Sequence, residues 1–461
     1  MSPLVADIDF VLARASNPGE FERWIERARS TGWCEHPIRL TGATHHVDAA
    51  TGEIVASYRT DDEPNGHLLK ACGTRRATVC VPCSTVYRSD AWQLIAAGLR
   101  GGKGVPSDVT THPLLFVTLT APSFGTVHSR RIENGQARIC HVESHARCRH
   151  GRPKACDAIH EPEDPGLGEP LCLDCFDYVG AVLWNAHATE LWRRTLIGMQ
   201  RQLASHLGVR GSKLGDHARL SFAKVVEYQH RGLIHLHVVI RLDGPGGSTD
   251  APPNSIGIST LEATVVKASQ QVRCVYPDTL EVSGEVRWGE QIDVRRITLG
   301  SVAPEAVAAY VSKYATKSTE PLGRLDRRLR ASDLERLGVR PHLEQLVRTA
   351  WRLGGRSDLE HLGLRRWAHT LGFRGHWLTK SWHYSTTLGA LRAARAEWTA
   401  DNHDDRQQLG EVEAVKDWRY VGRGWDNPGD EWLARTAAAA AIEARQLARR
   451  AGRAASERMQ E

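Results

Sequence analysis

The chain lacks several features that would define a common protein class. No stretch approaches the roughly 18 apolar residues of a membrane-spanning helix. Met1–Phe10 carries two Asp and no basic leader, so a secretory signal is not expected. No G-x4-G-K-[ST] loop is present, which argues against an ATP-driven helicase fused to the chain. Lysine is scarce: of 60 basic residues ten are Lys, leaving fifty Arg. Arg grips phosphate and guanine bidentately and stacks on bases, but a genomic preference for Arg codons gives the same bias. A net charge of +6 over 461 residues therefore hints at nucleic acid without establishing it. The expectation is a cytoplasmic protein with no membrane partner. With 41% hydrophobic and 25% charged residues the composition is ordinary for a globular chain, and the length suggests about three domains.

Cysteine is present in useful spacing. Ten thiols in a reducing compartment point to metal ligands rather than disulfides. One set reads Cys72-x7-Cys80-x2-Cys83, with Cys34 upstream as a fourth member. A second reads Cys148-x7-Cys156-x15-Cys172-x2-Cys175. Close thiolates can grip one ion and a distant pair can close the tetrahedron, leaving no open position, as in structural zinc. His141, His145, His150 and His160 lie nearby and could replace a Cys, so the ligand set stays open. Cys274 stands alone and reads as a core residue.

The pattern along the chain predicts an α+β fold. Residues 1–104 read as an N-terminal Cys-rich zinc module. Residues 105–320 read as the main folded core, with a Cys-rich zinc insertion at about 140–176. Leu114–Thr120 is a strong strand stopped before Pro122, and a long helix is expected over Tyr178–Leu207. Ser221–Tyr228 and Leu233–Leu242 read as a hairpin through Gln229-His230-Arg231-Gly232. Pro304–Lys317 has the signature of a helix, with Pro in its first turn. Residues 321–400 are expected to be helical, basic and aromatic, and 401–461 a helical tail.

Two motifs carry chemistry. His235 and His237 are two apart on a strand, so both imidazoles share one face while Ile234, Leu236 and Val238 face the core. Glu227 on the partner strand can reach across to complete a three-ligand divalent site, with His230 an alternative third ligand. Paired histidines on a strand can also be mere polar decoration. On the Pro304–Lys317 helix, Tyr310 and Tyr314 share a face, with Lys313 and Lys317 on the next. A tyrosine hydroxyl can attack a phosphodiester, and a lysine can add positive charge or deliver a proton. Two aromatics packed into a core would show the same spacing.

Together, Phe116-Val117-Thr118-Leu119-Thr120, His235-Leu236-His237 and the Tyr310–Lys317 segment occur in the order of three motifs. The sequence resembles the HUH endonucleases, specifically rolling-circle replication initiators of actinobacterial plasmids and integrative conjugative elements. The resemblance runs from about Cys34 to about Arg395 and includes Thr379-Lys380-Ser381-Trp382-His383-Tyr384. It implies an antiparallel-sheet HUH core over 105–320, with His235, His237 and, less securely, Glu227 binding Mg²⁺ or Mn²⁺. It implies Tyr314 as the nicking nucleophile and Tyr310 as a second one, with the order of use open. The implied product is a 5′-phosphotyrosine link and a free 3′-OH at an origin, with a host helicase and polymerase as partners.

From His361 to Ala396 six basic residues, Arg365, Arg366, Arg374, Lys380, Arg392 and Arg395, occur without an acid. Interleaved with them are Trp367, Phe373, Trp377, Trp382 and Tyr384. Cations for phosphates and rings for unpaired bases suit single- and double-stranded origin DNA, with Arg365, Arg366, Arg374, Lys380, Trp377 and Trp382 as candidate contacts. The alternative is an Arg-rich surface with aromatics packed inward. The rival functions are a conjugative relaxase, which uses the same chemistry, and a zinc-stabilised DNA-binding regulator without catalysis.

Overall fold

The computed structural model describes residues 16–142, 146–276, 284–297, 303–317, 322–323, 325, 327–401 and 412–458. Helices and antiparallel sheets are mixed. The chain divides into two compact units, Met1–Asp90 with Leu388–Glu461, and Ala91–Thr387. No helix among the described residues is long and apolar enough to cross a membrane.

In the first unit, β1 (Ile38–Asp48) pairs with β2 (Ile54–Arg59), β3 (Leu68–Lys70) and β9 (Val412–Arg423). Gly42 is required at one close approach. Its φ is +140°, and a Cβ there would fall 1.7 Å from the Asp417 carbonyl oxygen of β9. The helix Pro18–Ser30 buries Trp24 and Ala28 against Ala434 of the helix Pro428–Arg458, with Trp425 tilted over Trp24 at 5.5 Å. The helical tail expected over 401–461 is thus only partly helical, because β9 lies within it. Val412, Val415, Trp418, Tyr420 and Val421 favour a pleated strand, and the partner, β1, lies far away in sequence. The module expected over 1–104 is correspondingly completed by the chain's other end, and its first 15 residues lie outside the described residues.

The second unit is built on a five-stranded sheet. Its strands are β4 (Leu114–Thr120), β5 (Arg219–Tyr228), β6 (Ile234–Asp243), β7 (Ile292–Arg296) and β8 (Leu378–Lys380), in spatial order β7-β4-β6-β5-β8. The Tyr178–His206 helix, capped by Asp177 accepting from the Gly180 N–H, covers one face. Leu183, Leu191, Met199 and Leu203 from this helix join Leu115, Val117, Leu119, Val226, Leu236, Val238 and Ile240 in one core. Leu343, Leu346, Val347, Ala350 and Leu353 of the helix Pro341–Leu353 extend that core. The 321–400 region is not wholly helical: short 3-10 turns follow this helix, and β8 adds an edge to the sheet. The opposite sheet face meets the helix Pro304–Lys317, whose Val307, Ala308, Val311 and Ala315 are buried.

Candidate functional site

The hairpin register builds the site. Glu227 lies directly across from His235, and Thr118 of β4 across from His237. Alternation sends Ile234, Leu236 and Val238 into the core and both imidazoles to the opposite face. His235 Nε2 stands 2.9 Å and His237 Nε2 3.1 Å from the same Glu227 oxygen. Thr118 Oγ1 lies 3.3 Å from His237 Nδ1, the ring atom turned away from the carboxylate. The three candidate ligand atoms lie within 4.8 Å of one another. Burial lowers the His237 pKa and favours the neutral, ligand-competent ring, outweighing the raising effect of Glu227. Burial pushes Glu227 the other way, yet the two histidines win and its pKa is lowered. His230, the alternative third ligand, sits in the turn and is not in this group.

Buried Asn185 anchors the turn that carries these side chains. Its amide donates to the carbonyls of Gly232 and Leu371 at 3.0 and 3.1 Å, and its oxygen accepts from the Ile234 N–H at 3.2 Å. Gly232 has φ +74°, and a Cβ there would lie 2.4 Å from Leu346 Cδ1.

The tyrosine helix closes over the same face. The Tyr314 ring stacks on His237 with centroids 5.0 Å apart and planes 27° apart, while Tyr310 meets His237 edge-on at 5.4 Å. The two tyrosine rings are 4.8 Å apart, and Tyr310 also packs edge-on against Phe116. Tyr310 is 44% exposed, whereas Tyr314 is half-buried. Burial first, then the Tyr310 hydroxyl and the charge of Glu227, raise the Tyr314 pKa and hold its proton on. Lys313 Nζ lies 5.5 Å from the Tyr314 ring centroid. The Lys317 side chain lies outside the described residues.

The cysteines fall into three groups rather than two. Cys34, Cys72, Cys80 and Cys83 converge as expected, with Cys80 Sγ 3.9 Å from Cys34 Sγ. The second expected set is divided: Cys148, Cys172 and Cys175 meet His150, while Cys156 meets His128, Cys140 and His160. Cys156 is drawn elsewhere because its backbone pairs with His141, next to Cys140. His150 and His160 thus take positions the spacing allowed them. His141 falls in neither group of four, although its Nδ1 lies 3.0 Å from Cys140 Sγ, and His145 lies outside the described residues. Cys274 is buried in the main core.

The basic and aromatic segment is mixed. Trp382 is 81% exposed. Trp377 instead packs on Tyr228 and Phe373 at 5.6 and 5.3 Å, and Phe373 and Tyr384 are fully buried, so these rings serve the core rather than a base stack. Lys380 is half-buried with its ammonium on the carbonyls of Ser381 and Trp382. Arg365 and Arg366 are exposed, lying over Trp351 and Trp367. Arg374, also exposed, donates to the His361 carbonyl.

Sequence reasoning missed His128 and Cys140 as candidate ligands, Thr118 as the partner of His237, and Asn185. Cys140-x7-Cys148-x7-Cys156 repeats one spacing, a signal that could have exposed the ambiguity.

A family model described as "Replication initiator protein, pSAM2" matches residues 20–439. A replication initiator protein of Streptomyces ambofaciens is 41% identical over 443 residues, covering 93% of this chain and 92% of that protein. No solved structure gives a significant match.

Proposed function

The chain belongs to the pSAM2 replication initiator family, and on that premise we propose that it starts rolling-circle replication by nicking one strand of origin DNA as an HUH endonuclease. The observation that carries this reading is the convergence of Glu227, His235, His237, Tyr310 and Tyr314 on one sheet face. Two imidazoles and a carboxylate, the nitrogens both within 3.1 Å of one oxygen, are a fitting donor set for a divalent ion. Glu227, His235 and His237 would hold Mg²⁺ or Mn²⁺, which when bound polarises the scissile phosphate.

The remaining work belongs to the chain's own side chains. Tyr314 Oη attacks phosphorus, forming the tyrosyl O–P bond to the 5′ side as the P–O3′ bond breaks. The phenolic proton passes to water and the departing 3′ oxygen takes one up from water, leaving a free 3′-OH. Lys313, beside the Tyr314 ring, supplies positive charge near the phosphate, and Lys317 follows one turn later. Tyr310 stands ready as the second nucleophile, for the transfer that releases and rejoins the displaced strand. Arg365, Arg366, Arg374 and Trp382 are proposed to contact DNA. The 3′-OH serves a host polymerase and a host helicase opens the duplex, which puts the protein in the cytoplasm.

The reading is tested on a supercoiled plasmid carrying the chain's coding region and flanks, with Mn²⁺. The expected result is open circles whose 3′ ends a polymerase extends and whose 5′ ends resist phosphorylation even after phosphatase, all abolished by EDTA or His237→Ala. Tight metal-independent binding without nicking would overturn it in favour of a DNA-binding regulator.

A further inference from the structure

We propose that the Cys-rich insertion holds two structural zinc ions in interleaved sites, so that the full chain carries three. Ligands of a tetrahedral zinc, about 2.0–2.3 Å from the ion, stand about 3.3–3.8 Å from one another. His128 Nδ1 and His160 Nε2 are 3.3 Å apart, and Cys156 Sγ is 3.6 Å from that same His160 nitrogen. Cys140 completes this first set, and all four atoms fall within 4.8 Å. In the second set His150 Nδ1 is 3.3 Å from Cys175 Sγ and 3.6 Å from Cys172 Sγ, with Cys148 as the fourth ligand.

The surroundings suit a metal. Asp164 accepts from His160 Nδ1 at 2.7 Å, which fixes the ring and leaves Nε2 for the ion. The Ser129 N–H points at Cys140 Sγ at 3.2 Å, the kind of donor that stabilises a thiolate. Each set offers four thiolate and imidazole donors, enough to fill the coordination of one zinc and leave no position for substrate, so the role assigned is structural.

Along the chain the pairs alternate: His128 and Cys140, then Cys148 and His150, then Cys156 and His160, then Cys172 and Cys175. Each site therefore closes a loop that contains half of the other. The first site also reaches the nuclease hairpin. His128 exchanges backbone hydrogen bonds with the Gly168–Glu169 segment, each 2.8 Å. Glu169 pairs with Arg340 at 3.1 Å, and Arg340 donates to the carbonyls of Leu167 and His230. His230 lies in the turn between Glu227 and His235. The first zinc thus buttresses the turn from which the candidate nuclease ligands project. It also fixes His128, Ser129 and Arg130 as one wall of a cavity of about 780 Å³ that the hairpin turn lines from the other side.

The proposal rests on the zinc reading of the insertion and not on nicking, and its test reads metal alone. Zinc is counted in the full chain carrying His237→Ala, so that the Glu227 group contributes no ion. Three zinc ions per chain are expected. Cys140→Ser should remove at least one, whereas His160→Cys should keep three. Two per chain in the His237→Ala protein, or three retained with Cys140→Ser, would overturn the proposal, because a site built on Cys148, Cys156, Cys172 and Cys175 makes no use of Cys140. Cobalt substitution gives a second readout. The site with two thiolates and two imidazoles, and the site with three thiolates and one imidazole, should add visible bands distinct from those of the Cys34 site. A spectrum carrying only the four-thiolate signature of the Cys34 site, with no bands added, would contradict the assignment.

Discussion

At the scale of single residues, the site depends on how few atoms fix each side chain. His237 has one partner on each ring nitrogen, Glu227 and Thr118. Outer partners of metal-bound histidines typically account for about 10- to 100-fold in affinity. Thr118→Val, which removes the hydroxyl at nearly constant volume, is therefore expected to weaken Mn²⁺ binding by about that factor in a calorimetric titration, with the fold unchanged by circular dichroism. Trp382 and Trp377, both candidate DNA contacts in the sequence, should separate cleanly. Trp382→Ala is expected to lower single-stranded DNA affinity by roughly 5- to 100-fold, the worth of one base stack, without changing the denaturation midpoint. Trp377→Ala should do the reverse, costing about 3 kcal/mol of stability by opening a hole beside Tyr228 and Phe373. That contrast was not legible in the sequence, where both read as aromatics in a basic run. Period-two alternation told which way His235 and His237 face, but burial of a ring depends on neighbours that composition does not name.

At the scale of elements, the hairpin and the tyrosine helix were legible because their signals are local: a turn closed by Gly232, and two tyrosines one turn apart. The clamp on the hairpin was not. Asn185 reads as an ordinary polar residue in a long helix, yet it is fully buried with three hydrogen bonds to the turn and to Leu371. Asn185→Ala leaves two carbonyls and an N–H unpaired, and is expected to cost about 2–4 kcal/mol in denaturant unfolding. His342 adds a pH term. Burial drops its pKa to about 4 from 6.5, while its ring bonds the Arg231 carbonyl and the Tyr178 hydroxyl. A ring held neutral by the fold destabilises it once the unfolded chain binds the proton more readily. Stability should be full above about pH 6.5 and fall progressively towards pH 4, by an amount on the order of 3 kcal/mol. His342→Gln should flatten that slope in thermal melts across the range. An unchanged slope would mean that other groups carry the acid sensitivity.

At the scale of the whole molecule, the two ends of the chain meet in one sheet through β1 and β9, a pairing that no local pattern announces. The division of the Cys-rich insertion into two sets was hidden for a related reason: equal spacings fit more than one partition, and only the fold of the intervening ribbon chooses among them. The second unit is proposed to carry covalent chemistry at Tyr314. The most direct measurement incubates the full chain with Mn²⁺ and single-stranded oligonucleotides tiling its own coding region and flanks, then reads covalent adducts on a denaturing gel and maps the linked peptide by mass spectrometry. A metal-dependent adduct is expected on the Tyr314 peptide, absent with Tyr314→Phe and retained with Tyr310→Phe. An adduct lost only with Tyr310→Phe would reverse the assignment of the two tyrosines. No adduct on any tile from a folded, metal-loaded protein would contradict the nuclease reading itself.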